Sequence, residues 1–191
     1  MNTAPFDADR VAQLEAEGWR SYYDRDYPRI FWLMTQLTRE QFGVPTPLAA
    51  LAAVHIARAM KAFIPRDHDM SVVRERISRY YAITRRYSRF AKDLGRVSEL
   101  EAEYWDVHRR LIGNPDKAPF IETMVALHAA IFGISSQQAR ESAVLRVEAN
   151  NTVDRITGGS PDADAEWRRL EVQLAGCYRS IARELEENGT A

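Results

Sequence analysis

"LEAEGW" occupies residues 14–19 and "LEAEYW" residues 100–105, so five of six positions return 86 residues later in a chain of 191. Other echoes keep the same order. "REQFGV" (39–44) is followed 90 residues on by "AAIFGI" (129–134), which aligns Phe42 with Phe132. "AV" at 53–54 recurs at 143–144, and "YSRFAKDL" (87–94) matches "YRSIAREL" (178–185) at an offset of 91. Chance explains one such pair but poorly explains four in sequence. The pattern predicts an internal duplication of a unit of about 90 residues, copy one spanning about 7–95 and copy two about 97–188.

Each copy reads as helical. Ser98 with Glu101, and Ser135 with Gln138, have the spacing of capping boxes. Thr46-Pro47 and Ser160-Pro161 place a capping residue before a proline at a first helical position. Gly43 and Gly133 stand at matching places as helix stops, and Gly95, Gly113 and Gly158-Gly159 close three more. Alternating runs rich in valine and threonine, the mark of strands, are absent. The expected fold is all-α, with helices near 7–25, 28–42, 47–64 and 70–94, then 99–112, 119–132, 136–157 and 162–187. Short connections join these into one helical domain over 1–191, packed as a pseudo-two-fold bundle. The third helix, "PLAALAAVHIARAMKAF", is apolar nearly all round and is expected in the interior.

Composition narrows the class. Hydrophobic residues at 46% and charged residues at 28% suit a soluble globular chain, and a net charge of −1 gives no global pull toward nucleic acid or membrane. No apolar run approaches the ~20 residues that span a bilayer. The first ten residues, MNTAPFDADR, lack a secretory pattern, and the single cysteine, Cys177, suits a reducing compartment. The expectation is a cytoplasmic protein.

Chemistry-bearing motifs are few. Paired Glu-x-x-His and His-Glu-x-x-His are missing, and His55, His68, His108 and His128 are scattered. Asp67, His68 and Asp69 cluster in an expected loop between helices, which a solvated turn explains better than a metal, with Asp69 capping the next helix. A haem needs one axial histidine, which leaves no spacing signature, so the cofactor is unassigned. There is no nucleophile elbow or phosphate loop, and Cys177 reads as a packed thiol. Residues 71–96 carry seven arginines and one lysine against Glu75 and Asp93. Val73, Ile77, Tyr80, Thr84, Tyr87, Ala91 and Leu94 nevertheless recur at helical spacing, so the rings turn inward and the arginines outward. Trp19, Tyr22, Tyr23, Tyr27, Phe31 and Trp32 also fall at helical spacings; core packing is the leading reading, a ring-lined pocket the lesser one.

Polar residues on the central helices give the candidate site. His55 and Arg58 share a face of the apolar helix, and offset 90 aligns Glu148 with Arg58 and Asn151 with Lys61. A charge there is costly unless paired. The expectation is that Arg58 faces Glu148 near the centre, with His55, Asn151 and Asp154 nearby, either as a structural ion pair or as the lining of a ligand pocket between the copies. Three functions follow: a small-molecule-binding protein, with His55 as an acid or base if it is an enzyme; an interaction protein or scaffold, with a homodimer as its assembly; and a nucleic-acid-associated protein using helix 71–96. The first is preferred, because buried polar groups on a central helix are unusual without a use.

Overall fold

Asp7, Asp26, Asp69 and Ser135 each turn a side-chain oxygen onto a backbone N–H at the start of a helix, satisfying a donor that the helix itself leaves open. In the computed structural model, which describes residues 6–88, 90 and 94–189, the chain is all-helical. Its eight helices are α1 (Ala8–Tyr23), α2 (Tyr27–Phe42), α3 (Thr46–Phe63), α4 (Met70–Thr84), α5 (Leu94–Arg110), α6 (Ala118–Phe132), α7 (Ser136–Thr157) and α8 (Ala163–Gly189). Every helix packs on its neighbours in the chain, and α8 closes the ring against α1.

Two corners set this ring. The chain turns through 117° between α2 and α3 and through 119° between α6 and α7. At each corner a phenylalanine ends the helix and a glycine follows at φ +68°, Gly43 in one case and Gly133 in the other. A side chain is strained in that left-handed conformation, so glycine is the residue that lets the chain turn there.

Several expected boundaries are corrected. The helix of "LEAEYW" begins at Leu94, so Ser98 and Gly95 lie inside α5 and neither caps nor stops a helix. The helix of residues 70–84 ends at Thr84 rather than at 94, and the exposed Tyr87 follows it. The N-cap of α3 is Pro45, with no side-chain bond, rather than Thr46. Near α8, Asp162 rather than Ser160 accepts the Ala165 N–H, at 3.1 Å. The Ser135–Gln138 capping box is complete, and Gly158 ends α7.

The core sits inside the ring. Helix α6 supplies Phe120, Met124, Val125, Leu127, Ile131 and Phe132, all buried. Phe120 is fully buried, and burial of one such ring is worth about 1.5–3 kcal/mol. Helix α3 is not interior on all sides: its alanines at 49, 52, 53 and 59 are buried, while Leu51, Arg58 and Lys61 are exposed. Alanine lets α3 pack closely on its neighbours without being enclosed. Val73, Ile77, Tyr80 and Thr84 face inward on α4, and Arg74 and Arg79 face outward, Arg79 pairing with Glu75 at 2.5 Å. Ala91 and the side chain of Leu94, the end of that expected stripe, lie outside the described residues. Trp19 and Trp105 are partly buried against the core rather than enclosed by it.

Candidate functional site

The inward stripe of α1 runs Val11, Glu15, Gly18 and Tyr22, and that of α5 runs Val97, Glu101, Tyr104 and His108. Each puts a carboxylate at a position that helical periodicity assigns to the interior. Both carboxylates line a central cavity of ≈ 400 Å³, a volume in the range of small-molecule sites. Most of its wall is apolar or aromatic, from Trp19, Met34, Phe42, Ile56, Met60, Phe63, Trp105, Leu127 and Phe132 among others.

At one place in the wall, Glu15 Oε2 lies 2.5 Å from Arg146 Nη1 and accepts the Tyr178 hydroxyl at 2.6 Å. The side chains of Arg146 and Glu15 are only 13% and 8% exposed, so this is a buried ion pair. The guanidinium also lies 4.8 Å from the centre of the Trp19 ring, a cation–π arrangement. The neighbouring carboxylate and tyrosines hold Arg146 firmly in its charged form despite burial.

Glu101 has no such partner. Its oxygens accept the Trp105 indole N–H at 2.9 Å and the Tyr81 hydroxyl at 3.2 Å, both neutral donors. Desolvation raises its pKa above the ordinary 4.5, although those two bonds and Arg146 pull the other way. Desolvation likewise pushes the Tyr81 and Tyr178 hydroxyls well above 10, which keeps both as donors.

His128 is also buried against the cavity, and desolvation with help from Arg146 lowers its pKa to about 3. Ser142 Oγ donates to the Ala139 carbonyl, so it accepts the proton on His128 Nδ1, 2.8 Å away. The neutral ring is thereby left with an acceptor at Nε2, which makes no hydrogen bond among the described residues. Tyr104 donates to Asn150 Oδ1 at 3.0 Å. Its ring lies parallel to those of His108 and Phe120, which fixes this side of the wall.

Exposed Ile64, Ile112 and Tyr23 form the outer lining. Arg109 braces it, donating to the Phe63 and Pro65 carbonyls at 2.6 and 3.1 Å with its guanidinium over the Phe63 ring. His108 Nε2 donates to Asp154, with oxygens at 3.1 and 3.2 Å.

The five residues singled out by sequence are placed differently from one another. Asp154 borders the cavity through His108. Arg58 and Glu148 are both exposed and form no ion pair with each other; Asn151 is partly buried, one residue beyond the cavity-lining Asn150. His55 is half-buried within electrostatic reach of the arginines of α3 and α4. Burial, then Arg79, Arg58 and Arg76, lowers its pKa, and its Nδ1 is buried without a partner. Of the early aromatic residues, Trp19, Tyr22 and Tyr23 line the cavity, while Tyr27, Phe31 and Trp32 are exposed. Cys177 is a packed thiol raised to about 12 by burial. The residues missed, Glu15, Glu101 and Arg146, had a readable signal: each is a charge on an otherwise inward-facing stripe.

No family model, curated protein or solved structure matches this chain.

Proposed function

We propose that the protein binds a small organic molecule in its central cavity, between the two halves of a duplicated helical chain. The observation that carries this reading is the convergence of Glu15, Arg146, Glu101 and His128 on one largely apolar cavity of ≈ 400 Å³. Apolar walls supply affinity, and a few fixed polar groups supply orientation. A chain folded only for stability gains nothing from two carboxylates and a guanidinium there, since burying them is costly.

The duplication is supported by the recurring order of the helices around the ring, the two glycine corners and the shared Glu and Trp of the two hexapeptides. Under it α1 corresponds to α5, and α4 to α8. The pair Glu15–Tyr178 (α1–α8) then corresponds to Glu101–Tyr81 (α5–α4). This matches Tyr81 to Tyr178, rather than the Tyr87 suggested by sequence.

Native mass spectrometry and an absorption spectrum of the purified protein test the binding reading. A retained small molecule is expected, or a rise in melting temperature with a library of small organic compounds. Met34→Trp, which fills cavity space, should remove either signal while the helical circular dichroism stays. Absence of any retained or stabilising molecule overturns the reading. A second reading, an interaction protein that forms a homodimer, is supported by the rings of Tyr27, Phe31 and Trp32, which are 67%, 42% and 53% exposed. Light scattering that shows a monomer at micromolar concentration would remove it.

A further inference from the structure

The two hexapeptides put Glu15 and Glu101 in equivalent places, but only one of them has a cation. Arg146, the counter-ion of Glu15, stands on α7; 90 residues earlier, at the separation that joins Phe42 to Phe132 and Gly43 to Gly133, α3 carries Ile56. Both Arg146 and Ile56 line the cavity. Under the proposed duplication, Ile56 therefore holds the place toward Glu101 that Arg146 holds toward Glu15. Resting on the cavity reading above, we propose that the ligand is a small organic ammonium with an apolar body, whose charged nitrogen pairs with Glu101 as Arg146 pairs with Glu15.

Three observations converge on this class. The first is charge. Around Glu101 stand Glu15 from α1, Tyr80 and Tyr81 from α4, Tyr104 from α5, His128 from α6, Arg146 from α7 and Tyr178 from α8. With the tyrosines and His128 neutral, ionised Glu101 leaves this group one negative charge in excess. Arg109 lies at the outer lining and is engaged by the Phe63 and Pro65 carbonyls.

The second is hydrogen-bonding capacity. Tyr80, Tyr81, Tyr104, Tyr178 and Trp105 all donate to protein acceptors, namely Thr38, Glu101, Asn150, Glu15 and Glu101. The carboxylate of Glu101 keeps spare lone pairs, and the buried His128 adds its unpartnered Nε2. An ammonium brings three N–H donors to a wall that offers acceptors. Arg146 retains N–H groups of its own and would favour a carboxylate, so an acidic ligand is the competing outcome.

The third is the aromatic wall. Rings of Trp19, Tyr81, Tyr104 and Trp105 surround the carboxylates, and a cation over such rings is attracted by their quadrupoles. Arg146 over Trp19 shows the arrangement within this wall. Burial disfavours the charged form of Glu101 even though Arg146 pulls the other way. An ammonium beside it favours the charged form and so lowers its pKa.

Titration calorimetry with phenethylammonium, 2-phenylethanol and 3-phenylpropanoate tests the class at constant shape. Phenethylammonium should bind at least tenfold more tightly than the alcohol, and the carboxylate less well than either. In two buffers of different ionisation enthalpy, at the pH of the free Glu101 midpoint found by titration, the ammonium's apparent enthalpy should differ in the sense of proton release. Glu101→Gln should erase the preference for the ammonium and leave alcohol binding and the helical signal in place. If that variant does not fold, the buffer dependence on the native chain decides. Equal or tighter binding of the alcohol or carboxylate overturns the ammonium class and leaves the cavity reading standing. Binding of none of the three overturns the ammonium class, and the cavity reading falls with it only if the native spectra and the compound library also show no bound molecule.

Discussion

Glu15 and Glu101 stand in hexapeptides that share five letters of six, and their electrostatic surroundings differ. Glu15 is neutralised by Arg146 and held by Tyr178; Glu101 is held by Tyr81 and Trp105 and has no ion-pair partner among the described residues. Their tryptophans diverge in step. Trp105 turns its N–H to Glu101, whereas Trp19 offers its ring to Arg146. One half of the ring thus carries an internal ion pair, and the other half carries an acceptor. Under the proposed duplication, one copy of the scaffold uses its cavity carboxylate to hold the fold and the other keeps its carboxylate for the proposed ligand.

The largest expected effect breaks the completed side. Arg146→Met leaves Glu15 buried without its cation and should cost about 3–5 kcal/mol in chemical denaturation. A loss under about 1 kcal/mol would show that water already reaches the pair.

Next comes acid sensitivity. His128 has a pKa near 3 when folded and an ordinary value of 6.5. Its pKa is depressed, so the unfolded chain takes the proton first. Stability should then fall as pH drops from about 6.5 toward 3, by up to about 1.4 kcal/mol per unit. His128→Leu should flatten that part of the pH–stability curve, and an unchanged curve would place the acid lability elsewhere.

Ile56→Arg sharpens the comparison by giving Glu101 the cation its counterpart has. Phenethylammonium affinity should drop at least tenfold, with a stability change of about 1–3 kcal/mol from fitting the larger side chain. Unchanged affinity would mean that Ile56 and Glu101 do not share a site.

The smallest effect is expected for Glu101→Gln. Its amide keeps one of two hydrogen bonds, so the change should lie within about 1.5 kcal/mol. The Glu101 pKa is raised in the fold, so the native carboxyl contributes fully below the ordinary 4.5 and loses that contribution as pH rises. The variant should therefore gain on the native chain as pH increases. The opposite trend would show a carboxylate stabilised in its charged form.

Much of the fold was legible because helix periodicity, caps and glycine stops are local signals. Gly43 and Gly133 marked the corners, and Ser135–Gln138 marked the start of α7. The missed boundary at α5 has a physical reason: a Ser-x-x-Glu spacing also occurs inside a helix, where Ser98 is simply buried. The site was harder to read. Arg58, a charge on the apolar helix α3, reaches solvent because the buried face of that helix is alanine. Glu15 and Glu101 lay in the repeated hexapeptides themselves, among glutamates that normally face water. Only the stripes Val11–Glu15–Gly18–Tyr22 and Val97–Glu101–Tyr104–His108 separate the inward pair from Glu17 and Glu103. Which carboxylate would meet Arg146 depends on the closure of α7 and α8 against α1, a long-range contact that no local pattern records.

The contrast between the two glutamates is tested most directly by carboxyl ¹³C NMR of Glu101 across pH, free and with saturating phenethylammonium. In the free protein the Glu101 midpoint should lie above the ordinary 4.5, fall when the ammonium is bound and stay where it was with 2-phenylethanol. A midpoint at or below the ordinary value in the free protein, or one that the ammonium does not move, would contradict the assignment of Glu101 as the acceptor for a cationic ligand.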